Sequence, residues 1–242
     1  MPTRKIQFTP GEFYHIYNRG NARQDIFYND KDMYRFLQAI YLSNSSSLIF
    51  GIEELERNKN GYTLEEIKKV FIGSKITPNV LVKICADCLM PNHFHFLLQE
   101  IKESGITNFM QRLGTSYAKY FTAKYNRPGS LFQGRFKAVH IDGDDQLRYL
   151  LAYINAINPA QLIEPDLKEI GIRDIGNVLD WVNDYNWSTH QEFINKRNSI
   201  LVDKGLLGEL YPTPEDYLLF IKDVLHGKGK KIYETIDGLT IE

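Results

Sequence analysis

Apolar and polar positions along the chain fall into two periods. Around Glu12–Asn18, Phe13, His15 and Tyr17 alternate with Tyr14 and Ile16, the period-2 pattern of a strand, and Asn18-Arg19-Gly20-Asn21 breaks it. Asp30 is read as the N-cap of a helix through Phe36, Leu37, Ile40 and Tyr41, which the serine run at 43–47 ends. Residues 79–89 and 93–99 read as two strands joined by Met90-Pro91-Asn92, where the proline stiffens the turn. Phe109, Met110, Leu113, Tyr117, Tyr120 and Phe121 recur at helical spacing within 107–125. A fourth strand is expected at 131–141. A helix capped by Asp144 or Asp145 follows, running through Tyr149, Leu150, Tyr153 and Ile157 until Pro159 stops it. The first six elements match a split βαβ plan with an antiparallel sheet, an α+β arrangement, and the last helix is an addition to it.

The rest of the chain is less regular. Residues 48–78 read as a peripheral insertion with a short helix at 63–71, opened by the capping box Thr63-x-x-Glu66. Residues 161–242 read as an α-rich C-terminal appendage punctuated by Pro165, Pro212 and Pro214, with Gly227-Lys228-Gly229-Lys230-Lys231 expected as a mobile tail. The domain reading is therefore 1–160 and 161–242. At 43% hydrophobic and 24% charged residues the chain is expected to be globular, and no apolar run is long enough to span a membrane. No long apolar segment follows Met1-Pro2-Thr3-Arg4-Lys5, so no secretory signal is expected and a cytoplasmic location is the reading. Cys85 and Cys88 are spaced like a zinc or redox pair, but two further ligands are missing. On a strand, residues three apart face opposite sides, so both are expected as buried free thiols.

The net charge of −1 hides an uneven distribution. Between Ser104 and Ile141 there is no acid, against Arg112, Lys119, Lys124, Arg127, Arg135 and Lys137; from Glu164 to Glu242 there are 15 acids and 9 bases. A basic middle masked by an acidic tail fits a nucleic-acid partner. If all six cations met phosphate of a single strand, log K against log salt would slope near −4. Chemistry is suggested within Leu89-Met90-Pro91-Asn92-His93-Phe94-His95-Phe96. Two positions apart on a strand, His93 and His95 leave the same face with Cα atoms roughly 6.5 Å apart, so both rings can reach one metal ion. Phe94 and Phe96 point the other way, into a core.

Tyr14-His15-Ile16-Tyr17-Asn18-Arg19-Gly20-Asn21, then Met90-Pro91-Asn92-His93-Phe94-His95, then Leu131-Phe132-Gln133-Gly134-Arg135-Phe136-Lys137, then Tyr153 ahead of Asn158-Pro159, occur in one order. That order resembles the single-tyrosine HUH transposases, in particular the REP-associated tyrosine transposase branch, over about residues 8–190. The resemblance implies a ferredoxin-like or RRM-like antiparallel sheet backed by helices, with an added helix carrying the nucleophile. It implies a DNA endonuclease and strand transferase that cuts and joins single-stranded DNA through a 5′-phosphotyrosine, with Mg²⁺ or Mn²⁺ as cofactor and hairpin-bearing DNA as the expected target. Tyr153 then stands as the nucleophile, and His93, His95 and Asn158 as metal ligands. Arg19, Arg112, Lys119, Arg135 and Lys137 are the DNA-contact candidates. Relatives act alone or by exchanging the tyrosine helix, so monomer and homodimer both stay open.

The chain departs from the branch at one point. The tyrosine usually stands four residues before the Asn-Pro, whereas Tyr153 stands five before Asn158. A π-bulge would absorb the extra residue; Asn155 or Gln161 could instead supply the oxygen ligand; or activity has been lost. Tyr149, one turn earlier, is the reserve candidate for the nucleophile. Two other classes compete: a non-catalytic DNA- or RNA-binding regulator on the same sheet, and a zinc-binding interaction domain using Cys85, Cys88 and the histidines.

Overall fold

The computed structural model describes residues 6–45 and 79–227; the predicted insertion at 48–78, with its helix and capping box, and the tail from 228 onward lie outside the described residues. Alternation at the start of the chain forms β1 (Phe13–Arg19), and a 3-10 turn at Asn21–Arg23 ends it. Helix α1 (Asp30–Ser43) follows. Its N-cap is the extended Asn29 rather than Asp30; Asp30 and Asp32 occupy the first turn, where carboxylates meet the positive end of the helix dipole. Strands β2 (Val82–Met90) and β3 (His93–Glu100) form the hairpin, and α2 (Gly105–Tyr125) ends at Asn126 in the left-handed conformation that commonly stops helices.

The fourth strand is shorter than the apolar pattern suggests. Only Lys137–Ile141 forms β4. Residues 131–136 meet the sheet at the end of β1, through the bridge of Phe132 to Gly20, the Gln133 amide donating to the Arg19 carbonyl and the Asn18 side chain donating to the Gly134 carbonyl, because β1 has already turned away and Gly134 (φ 157°) interrupts the extended run. The sheet order is β2-β3-β1-β4, with all pairs antiparallel. Together with βαββαβ connectivity this is the ferredoxin-like arrangement.

Register decides which side chains share a face. Tyr17 pairs with His95, Arg19 with His93, His15 with Leu97 and Cys88 with His95. The other face carries Tyr14, Ile16, Phe94, Phe96 and Leu98, and packs on Phe36 and Ile40 of α1 and on Phe109, Leu113 and Tyr117 of α2. Asp32 locks these two helices: its buried carboxylate accepts from the hydroxyls of Tyr120 and Tyr125 and from Lys124 Nζ (2.6 Å).

The histidine face is covered by the second half of the chain. Gly143 (φ 148°) precedes α3 (Asp144–Ala152) as its N-cap, so Asp144 and Asp145 sit in its first turn instead of capping it. A π-helical turn, Tyr153–Ile157, leads into α4 (Asn158–Ala160). Then come α5 (Leu167–Ile170), α6 (Ile175–Asp184), α7 (His190–Phe193), α8 (Gly205–Leu210) and α9 (Pro214–Leu225). Leu147, Leu150, Tyr153 and Ile157 form one buried cluster with Cys88, Met90 and Leu97 of the sheet and with Val178, Val182, Tyr217 and Ile221. This core therefore crosses residue 160 without a break. The C-terminal half also meets the outer edge of β2, where the Leu89 amide donates to the Trp187 carbonyl (2.8 Å) and the Thr189 amide to the Asp87 carbonyl (2.9 Å).

Cys85 and Cys88 are both buried free thiols. They do not face opposite sides: a β-bulge between Ile84 and Ala86 shifts the register, and both lie in the cluster under α3. Burial pushes the Cys85 thiol up to about 12 and that of Cys88 well above its ordinary value, so neither is a thiolate at neutral pH.

Candidate active site

His93 and His95 project from one face of β3 as their spacing requires, with ring centroids 5.0 Å apart and planes at 89°. The Nδ1 of His93 lies 2.6 Å from the Asn92 side-chain oxygen. The Nδ1 of His95 lies 2.8 Å from Nε2 of His15 on β1. This contact fixes the His95 ring and leaves its other nitrogen, Nε2, buried with no hydrogen-bond partner. Burial holds the His93 ring down at about 4, with further contributions from Lys168 and Arg19. Burial likewise holds His95 well below its usual value, reinforced by His93, His15 and Lys168. Both imidazoles are therefore neutral at pH 7, the form that ligates metals.

Tyr153 sits over this pair. Its ring is 5.4 Å from His95 at 90° and 6.0 Å from His15 at 77°, both edge-to-face arrangements. Tyr149, one turn earlier, stacks on it at 6.3 Å. Lys168 of α5 places its ammonium 5.1 Å from the Tyr153 ring centroid.

The π-turn answers the spacing problem. In a regular α-helix five residues turn through about 500°, so Asn158 would stand about 140° away from Tyr153 around the axis. Here the Asn158 amide donates to the Tyr153 carbonyl, an i to i+5 bond that widens the turn and reduces the angle between the two positions. Pro159 accounts for the location. It has no amide to give to the Asn155 carbonyl, and its ring crowds that carbonyl, so the helix passes it with a widened turn. The Asn158 Oδ1 and Nδ2 are buried without hydrogen-bond partners. Asn155 is committed elsewhere, accepting from Thr189 Oγ1 (2.6 Å) and donating to Tyr217 (3.1 Å).

The DNA-contact candidates divide. Arg19, Arg135 and Lys137 line one groove of about 200 Å³ with Tyr17, Asn18, Gln133 and Gly134, and Arg19 pairs in register with His93. Its guanidinium donates to Gln133. Arg112 and Lys119 are not brought there, because α2 covers the opposite face of the sheet. Gly20 makes a close approach to its own chain: a Cβ there would lie 2.0 Å from the Gln24 carbonyl oxygen. Sequence reasoning missed His15 and Lys168. His15 stood in a noted motif, but only the strand register shows which ring it meets. Lys168 carried no signal.

Residues 57–156 match the family described as Transposase IS200 like. That stretch, rather less than half of the chain, is similar to the IS200-like transposases. The IS200-like segment contains His93, His95 and Tyr153 and stops two residues before Asn158, with His15 and Lys168 also outside it. A solved structure of the REP-associated tyrosine transposase bound to a REP hairpin is similar at 16% identity, over 84% of this chain and 94% of that one, with a TM-score of 0.45. No curated protein matches the chain. Among the described residues no helix is long and apolar enough to cross a membrane.

Proposed function

We propose that this chain is a transposase that cleaves and rejoins single-stranded DNA, with Tyr153 as nucleophile and hairpin-bearing DNA as target. The observation that supports the reading is the Tyr153 ring over His95 in a π-turn that ends at Asn158, whose side-chain polar atoms are buried and unpartnered. The donor set suits a divalent ion: His95 Nε2 and Asn158 Oδ1 are buried polar atoms without partners, and His93 stands beside them. Among the described residues no three His, Cys, Asp or Glu side chains form a metal cluster, so the set is two imidazoles and an amide oxygen. Such a set favours Mn²⁺ over Mg²⁺, which prefers oxygen alone. When bound, the metal would offset phosphate charge and act as a Lewis acid.

The protein's residues divide the remaining work. His15 acts through His95, holding its ring so that Nε2 faces outward from the sheet pair. Lys168 supplies a positive charge beside the Tyr153 ring, which attracts phosphate. Arg19, Arg135 and Lys137 run the strand toward His93. The Tyr153 oxygen forms a bond to phosphorus as the bond to the 3′ oxygen breaks. The phenol proton is lost and a proton returns to the departing oxygen, leaving a 3′-OH and a 5′-phosphotyrosine. That linkage keeps the energy of the phosphodiester, so rejoining needs no ATP.

One observation favours a second reading, a non-catalytic nucleic-acid binder. Tyr153 is only 1% exposed, so a phosphodiester reaches it only if neighbouring side chains, Lys168 among them, swing aside. One experiment separates the two. Labelled single-stranded hairpin DNA is incubated with Mn²⁺ or Mg²⁺, using the parent chain and Tyr153→Phe. A metal-dependent covalent adduct present in the parent and absent from the variant is expected. An adduct that persists moves the nucleophile to Tyr149 or elsewhere, and binding without any adduct supports the second reading.

A further inference from the structure

We infer that the C-terminal half sets the register of the nucleophile: Asn155, Thr189 and Tyr217 are positioning residues that hold the π-turn in which Tyr153 and Asn158 share a face. The inference rests on the reading of those two residues as nucleophile and metal donor. Asn155 lies at the centre of the turn, fully buried in an otherwise apolar stretch with Ile154, Ala156 and Ile157. An unpaired amide there would cost the full desolvation of both its ends. Both ends are satisfied from the other half of the chain. Thr189 Oγ1 donates to Oδ1 at 2.6 Å, and Nδ2 donates to the Tyr217 hydroxyl oxygen at 3.1 Å.

These partners are themselves anchored. Thr189 accepts from the Asp87 amide through Oγ1 (3.1 Å), and its own amide donates to the Asp87 carbonyl (2.9 Å), which fixes it to β2. Tyr217 donates to Nδ1 of His190 (2.9 Å), and His190 donates from Nε2 to Asn183 (2.9 Å). The donors run in one direction from β2 to α6 with each acceptor used in turn, a pattern that requires neutral His190. A regular α-turn would rotate Asn155 off both partners and carry Asn158 about 140° away from Tyr153. The same network therefore decides whether the two functional side chains meet, although the ring nitrogens of His93 and His95 bond to Asn92 and His15 instead of to its members.

The test uses the full chain with Thr189→Val, Thr189→Ser and Tyr217→Phe. Three quantities are read: hydrogen exchange of the Asn158 amide, Mn²⁺ affinity, and single-turnover adduct formation at saturating hairpin DNA. Thr189→Val and Tyr217→Phe are expected to speed Asn158 exchange. Both should weaken Mn²⁺ binding and slow adduct formation about 10–100-fold, the range for residues that orient a metal ligand. Hairpin affinity should stay unchanged, and Thr189→Ser should restore parent values. Unchanged Mn²⁺ affinity and Asn158 exchange in folded Thr189→Val and Tyr217→Phe would overturn the inference. Should Thr189→Val fail to fold, Tyr217→Phe, which removes one oxygen and adds no volume, decides on the same readouts. If the parent forms no adduct at all, the functional reading fails, while Asn158 exchange and Mn²⁺ affinity still decide the positioning role.

Discussion

Tyr153 is one of 15 tyrosines, and its neighbours rather than its type set it apart. His93 and His95 were legible because a two-residue period fixes a shared face once a strand is assigned. His15 was not, since it meets His95 only through the pairing of strands 80 residues apart in sequence. Lys168 arrives from α5 by tertiary packing, which no local pattern encodes. Lys168→Ala should slow adduct formation at saturating DNA about tenfold, the effect of losing one charge-assisted contact of about 1.5 kcal/mol. Lys168→Arg should keep most of the rate, and single-turnover assays distinguish the two. His190 gives a pH test remote from the site. Burial, and secondarily the Lys196 ammonium, lowers it to about 3. The folded chain thus keeps it neutral while the unfolded chain takes up a proton near pH 6.5. Its contribution is fully present above about 6.5 and is lost as pH falls toward 3. In His190→Gln the decline of stability between pH 6 and 4 should be shallower by about 1.4 kcal/mol per pH unit, read from urea midpoints.

At the scale of elements, the β-strands and long helices followed from periodicity, and the departures came from local backbone events. A bulge at Cys85 put both thiols under α3, Gly134 shortened β4, and Asn29 displaced Asp30 as a cap. Each is a local backbone event that composition leaves invisible. The π-turn is the exception, because the five-residue separation of Tyr153 and Asn158 already asked for it. Deleting Ile154 would place the tyrosine four residues before the Asn-Pro in a regular turn. The expected outcome is retained adduct formation that no longer responds to Thr189→Val, measured by comparing the single and double variants.

Over the whole molecule, the six cations of the acid-free stretch do different work. Lys124 is paired with buried Asp32, Arg112 donates to the Ser45 carbonyl and Arg127 to Gln24, all within the fold. Arg135 and Lys137 remain in the groove and are joined there by Arg19. The salt slope for single-stranded DNA is accordingly expected near −2, for three phosphate contacts, rather than the −4 that six would give, and a filter-binding titration against salt measures it. Charge counting along the chain could not separate these roles, because the acceptors for Lys124 and Arg127 lie 92 and 103 residues away. The cover on the β2 edge has a consequence for synthesis. Asp87 and its partner Thr189 are 102 residues apart. At about 5–20 residues per second, translation delivers the edge roughly 5–20 s before the segment that shields it. During that interval the nascent chain displays a row of unsatisfied amides and carbonyls of the kind that recruits other strands. Safe biogenesis thus depends on the ribosome's pace and on whatever chaperone occupies the edge until Thr189 arrives.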